Sequence, residues 1–257
     1  MRTPTTYITA AFLLLLSACG AGRPANCLLA SGCGGGSSVP VSGIQSVSPA
    51  LQSDFALLSG VVLGAEYGGG NTVVRWTHSP TLSFFNATSL QKQYANAALA
   101  QVNYAIRYSG IQVQVVADNQ MSADIKVAFG PASQMSQMGD YFGIDYVEGN
   151  SGFFWTHNDA VGRILDGVVL IQSDIGSDLV LRHTLLEELT QVMGPMRDQA
   201  LYEDSVYYEK NGVSGVVTQL SQIDARIVAF LYMYLEPGDT LEDVLQKFVA
   251  IWKTPVT

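Results

Sequence analysis

Between Arg182 and Gly194 the chain reads RHTLLEELTQVMG, a stretch that sets metal-binding and proton-moving side chains into an apolar run. Each residue of an α-helix turns about 100°, so His183, Glu187, Gln191 and Gly194 fall on one narrow face, with Glu188 beside it. Side chains four residues apart on such a face can chelate a cation. A glutamate next to the first of them can take a proton from metal-bound water. His183 precedes Glu187 by one helical turn, so the two are a possible chelating pair, or His183 is a hydrogen-bonded neighbour of the site. Leu185, Leu186, Leu189, Val192 and Met193 make the helix apolar around most of its circumference, which predicts burial. Buried carboxylates need partners, which can be a cation, a hydrogen-bonded network, or Arg182, Arg197 or Arg226 as ion-pair partners. The other two histidines, His78 and His157, fall on predicted strand ends, lack paired ligand spacing and read as surface residues.

The elements that must hold this helix follow from periodicity. Ser177-Asp178 caps it and Gly194-Pro195 closes it, giving a helix over roughly 179–193. Upstream, Val73-Val74-Arg75-Trp76 reads as a short strand ending near Ser79-Pro80. Thr88 and Gln91 have capping-box spacing. Leu90, Tyr94, Ala98, Val102 and Ile106 then recur at helical spacing until Gly110. Ile111, Val113 and Val115 alternate with glutamines as a half-buried strand should, and Ile125, Val127 and Phe129 repeat the alternation. A Gly- and Met-containing loop is predicted through Gly143, followed by strands at Phe153–Trp155 and Val168–Ile171. Ser221 and Asp224 form another capping box before Ile223, Ile227, Phe230, Leu231 and Tyr234. Pro237-Gly238 breaks that helix, and Val244, Leu245, Phe248 and Trp252 mark a last one. This order describes an α+β domain. Residues 45–70 stay unassigned, with the apolar run Phe55–Leu63 as an added strand or helix.

The chain has 257 residues, of which 48% are hydrophobic, enough for a sizeable core in one domain over 45–257. A formal charge of -9, with only 13 Lys and Arg spread along the chain, argues against a nucleic-acid partner. At the N-terminus, Arg2 precedes the apolar run Tyr7–Leu16, too short to span a bilayer, and this order reads as a signal peptide over 1–18. Leu16-Ser17-Ala18-Cys19 resembles a bacterial lipobox, which implies that Cys19 is acylated and anchors the mature protein to a membrane. Gly20, rather than Asp, after the cysteine resembles Gram-negative lipoproteins sorted to the outer membrane of the cell envelope. Residues 19–44 are Gly/Ser-rich tether. Cys27 and Cys33 within it suit either a small disulfide loop or two unpaired thiols.

Aligned to H-E-x-x-H-x-x-G, residues 187–194 keep Glu188 and Gly194 and replace both histidines, by Glu187 and Gln191. The segment resembles the active-site helix of the metzincin (zincin) clan of metallopeptidases. Ser205-Val206-Tyr207-Tyr208 resembles the tight turn beneath the metal, with Tyr207 in place of the family's methionine. Leu220–Asp224, continuing to Leu231-Tyr232, resembles the terminal helix of matrix-metalloprotease-like domains. A bacterial family of uncharacterised envelope proteins with E-E-x-x-Q-x-x-G is similar. The resemblance spans about Val73 to Tyr234.

That resemblance implies a mixed twisted sheet with an active-site helix and C-terminal helices, and a divalent metal, zinc in the family. It assigns Glu187 and Gln191 as ligands, and Glu188 as general base. Tyr208 would stabilise the oxyanion, and Gly194 and Tyr207 would be structural. The third-ligand position falls on Arg197, which cannot bind a cation, so the neighbouring Asp198 is the candidate, with His183 as the other. Such oxygen-rich donors suit calcium or manganese better than zinc. Two functions follow: a non-catalytic binding or assembly module for a peptide or protein of the envelope, or a metal-dependent peptidase whose substrate lies as an extra strand along the sheet edge. A metal-free acid and base pair made of Glu187 and Glu188 is disfavoured, because neighbouring helical residues do not face each other across a substrate.

Overall fold

The computed structural model describes residues 48–64, 71–210 and 213–252; the signal segment, Cys19, Cys27, Cys33 and the tether lie outside these. Five strands, β1 (Thr81–Phe85), β2 (Gln114–Val115), β3 (Ile125–Gly130), β4 (Gly152–Asn158) and β5 (Ile164–Gln172), form one sheet in the order β2-β1-β3-β5-β4. β1, β2, β3 and β5 are parallel, and β4 runs antiparallel to β5 at the opposite edge from β2. The fold is therefore mixed α+β, with six α-helices among the described residues.

Side chains alternate between the faces of a strand, and here both faces are covered. Leu82, Phe84, Ile125, Val127, Phe129, Val169 and Ile171 point into the main core. Helices α1 (Pro49–Val62), α2 (Ser89–Ala105), α4 (Asp178–Gln191), α5 (Gln222–Tyr234) and α6 (Leu241–Ile251) contribute much of the rest, with loop residues such as Trp76, Val206 and Tyr207. Phe85, Ala128, Val168 and Leu170 point the other way, into a smaller core that α3 (Met135–Phe142) covers through Met135. Within the main core α2 lies against α4, and α4 reaches β4 and β5. The small hairpin of β6 (Glu209–Lys210) and β7 (Val213–Ser214) follows α4.

The capping boxes read from sequence are formed: Thr88 with Gln91 starts α2, and Ser221 with Asp224 starts α5. Three local expectations are corrected. Val73–Trp76 is not a strand of the sheet. It makes isolated bridges, Leu63 to Val73 and Arg75 to Arg163, and buries Arg75, whose Nε donates to Leu235 O at 2.8 Å. The first strand is instead Thr81–Phe85, directly after Pro80, where Thr-Leu-Ser-Phe alternates but the Ser79-Pro80 turn signal reads as the end of a strand. The alternating run Ile111–Val115 pairs with β1 only at Gln114 and Val115, and Val115 is exposed. The segment before Gly143 is not a loop but α3, closed by Gly143 in the left-handed conformation at φ 72°. The unassigned N-terminal run is α1, capped by Ser48 and tied to α6 by Trp252 Nε1, which donates to Asp54 Oδ2 at 2.9 Å.

Candidate functional site

Ser177 Oγ accepts from Val180 N at the start of α4, and Asp178 sits in the first turn, where a negative charge complements the helix dipole. The far end stops at Gly194, at φ 126°. A Cβ there would collide with the carbonyl oxygen of Val74, so the position takes only glycine where segment 73–76 passes beneath the helix end. Trp76 Nε1 donates to Val192 O at 3.0 Å and Tyr232 hydroxyl to Met193 O at 2.7 Å, which satisfies carbonyls that a helix terminus leaves open.

Packing on both sides buries the helix almost all round: His183, Glu187, Glu188 and Gln191 are each 3% exposed, whereas Arg182 faces solvent. The two glutamates go to different surroundings. Glu188 shares a face with Thr184 and lies against Gly152 at the start of edge strand β4; a Cβ on Gly152 would collide with both side chains. Glu187 lies on the face of His183 and Gln191, close enough to Tyr207 for its charge to act on that hydroxyl.

His183 Nε2 is 3.5 Å from Glu187 Oε2, and Nδ1 is 3.0 Å from Val217 O and 3.3 Å from Val217 N. Burial pushes the imidazole pKa down, against the opposing backbone bond at Val217, so the ring is neutral at pH 7. A neutral ring carries one N–H. With that N–H on Nδ1, it donates to Val217 O, and Nε2 has no hydrogen-bond partner among the described residues.

Gln191 Nε2 donates to Asp198 Oδ1 at 2.8 Å. The backbone brings Asp198 there through Met196 N, which donates to Val61 O, and through Gln199, which exchanges bonds with Tyr207 and Glu209. Tyr207 is fully buried, and its hydroxyl has no partner among the described residues. Burial first, then the charges of Asp224 and Glu187, hold its pKa well above the ordinary tyrosine value, so the hydroxyl keeps its proton. Tyr208 points its hydroxyl to Glu203, 3.5 Å away, and Arg197 is half-buried.

A residue that the sequence reading treats only as a helix cap organises the turn beneath the site. Asp224 caps α5, and its carboxylate also accepts from Ser205 Oγ at 2.6 Å and Val206 N at 2.9 Å. Its burial raises its pKa, opposed by those hydrogen bonds. The capping-box spacing is a local signal; the turn it braces lies 18 residues earlier in the chain and gives none.

Zinc sites use three or four nitrogen, sulfur or carboxylate donors, and calcium takes six to eight oxygens. Here the Gln191 amide commits an N–H to Asp198 and keeps only a neutral carbonyl oxygen as a donor to a cation. No three of the His, Cys, Asp and Glu side chains among the described residues are grouped to hold a metal ion. The donor set as arranged does not fit zinc or calcium.

Residues 50–249 match the family described as Protein of unknown function (DUF2927). The chain belongs to that family. No curated protein matches it. Among solved structures, this DUF2927 chain is similar to two of myroilysin. One is 12% identical, covering 63% of this chain and 97% of that one at a TM-score of 0.38. The other is 14% identical, covering 72% and 96% at a TM-score of 0.41.

Proposed function

We propose that this protein is a lipid-anchored component of the bacterial cell envelope, outer membrane favoured, whose metzincin-like domain is a non-catalytic module that binds or assembles with a peptide or protein. The observation that carries this reading is the bond from Gln191 Nε2 to Asp198 Oδ1: the neutral amide that replaces the second ligand of the metzincin pattern is held to Asp198, and Arg197, a cation, stands at the third position. The acylated Cys19 supplies the anchor, and the tether over 19–44 sets the domain's reach from the membrane. The formal charge of -9 suits a protein partner rather than nucleic acid.

The deciding experiment is the metal content of the full chain purified without chelators, by elemental mass spectrometry, beside a Glu187→Ala, Gln191→Ala double variant. The reading expects no stoichiometric metal in either and no thermal shift on adding zinc, manganese or calcium. Near-stoichiometric metal lost in the double variant overturns it in favour of the peptidase. One observation speaks for that second reading: Glu188 lies where edge strand β4 begins, at a sheet edge to which an extended peptide can add. Palmitate incorporation, abolished by Cys19→Ala, tests the anchor.

A further inference from the structure

At the sheet edge opposite β4, a shallow, solvent-open groove of about 480 Å³ lies between α2 and β2. Leu99, Val113 and Val115 contribute apolar surface, and Asn96, Asn103 and Gln112 bring carboxamides, each both donor and acceptor. No charged side chain lines the cleft among the described residues. Asn103 is fixed in orientation: its Nδ2 donates to Val113 O at 3.1 Å and its Oδ1 accepts from Val113 N at 2.8 Å, as a neighbouring strand would.

Tyr104 forms one wall and is 67% exposed, with Tyr108 just beyond at 58%. Neither ring is buried, so two adjacent aromatic faces stand open to a ligand beside the groove. Both rings are held in place by Arg107, whose guanidinium carbon lies 3.9 Å from the Tyr104 centroid and 4.4 Å from that of Tyr108. Arg107 Nη1 is itself anchored on Tyr104 O at 2.6 Å. An aromatic wall stiffened in advance loses little side-chain entropy when a ligand stacks on it.

We propose that this cleft binds a neutral oligosaccharide. A sugar ring offers an apolar C–H face to Tyr104 and hydroxyls that donate and accept with Asn96, Gln112 and the fixed amide of Asn103. The lining itself carries no charge for a carboxylate or phosphate; the cation beside it, Arg107, is stacked on Tyr104 and Tyr108, and the acidic molecule as a whole repels an anion. A strand-adding peptide is the weaker occupant: β2 pairs over two residues only, and Asn103 already occupies the edge at Val113. The proposal is independent of whether α4 holds a metal, since β2 and β4 are opposite edges of the sheet.

The test is calorimetric titration of the full chain with maltohexaose, cellohexaose and chitohexaose, with hexagalacturonate and an uncharged hexapeptide as the competing chemistries. At least one neutral hexasaccharide binds one-to-one. Tyr104→Ala weakens it by about tenfold or more, Gln112→Ala weakens it measurably, and Tyr104→Phe retains it. Both positions are exposed, so equal thermal midpoints certify folded variants. The proposal is overturned if no neutral hexasaccharide binds, if binding survives both alanine variants, or if hexagalacturonate or the peptide binds more tightly.

Discussion

Gln191 and Asp198, seven residues apart, are joined by a 2.8 Å hydrogen bond from amide nitrogen to carboxylate. The bond crosses from the last turn of α4 to the segment after Pro195, one residue beyond Arg197. Asp198→Ala removes the acceptor from a buried amide, at a cost of about 1–3 kcal/mol. Urea unfolding measures it. Chelator treatment is expected to leave the wild-type midpoint where it was, and a fall on chelation would speak for a bound metal.

Tyr207 provides a sharper probe of the same region. Its hydroxyl is buried without a partner among the described residues, so it sacrifices hydration for nothing. Tyr207→Phe is therefore expected to leave stability unchanged or to raise it by up to about 1 kcal/mol. A loss larger than that would reveal a water or ion bonded to the hydroxyl.

His183 links stability to pH. Its folded pKa is depressed, by burial above all, so below the ordinary histidine value of about 6.5 the unfolded chain takes up a proton that the folded chain refuses. The contribution of His183 is thus present above that value and is lost as pH falls through the folded pKa. Unfolding midpoints at pH 7.5 and 5.5 should separate more in the wild type than in His183→Gln. Equal separations would mean that the ring is not desolvated.

Two glycines at positive φ should respond differently to alanine. Gly143, at φ 72°, has open space around its missing side chain, and Gly143→Ala costs about 1–2 kcal/mol of backbone strain. At Gly194 the strain is joined by collision with Val74 O, so Gly194→Ala costs roughly 1–3 kcal/mol more. Comparable losses at the two sites would contradict the close passage of segment 73–76.

Asp54 ties α1 to the end of α6 by accepting from Trp252 Nε1 at 2.9 Å, and to the segment between α4 and β6 by accepting from the Tyr202 hydroxyl at 3.3 Å. Asp54→Ala leaves the indole N–H unpaired and costs about 1–3 kcal/mol. Hydrogen exchange should quicken first in α1 and α6. Uniform quickening across the sheet would instead mean that α1 unfolds only with the whole domain.

What the sequence determined by itself is what local physics decides. Thr88 with Gln91, Ser221 with Asp224, and Ser177 before Val180 start helices because each capping bond closes within four residues. The 100° turn puts His183, Glu187 and Gln191 on one face in any helical context, and alternation marks β3 as a strand before any partner is known. Buried β1 escaped because the Ser79-Pro80 turn signal reads as a strand end rather than a strand start, and the short α3 because eight residues give too short a period to recognise. Only the tertiary structure decided which buried polar group meets which. Glu188 goes to Gly152 and Glu187 to Tyr207, the Gln191 amide turns to Asp198, and Asp224 braces a turn far back in the chain. The same holds for the cleft at β2, whose walls come from α2 and from the strand that follows it. A buried donor or acceptor must find its partner among whatever packing brings near, and packing joins segments whose separation in sequence leaves no periodic trace.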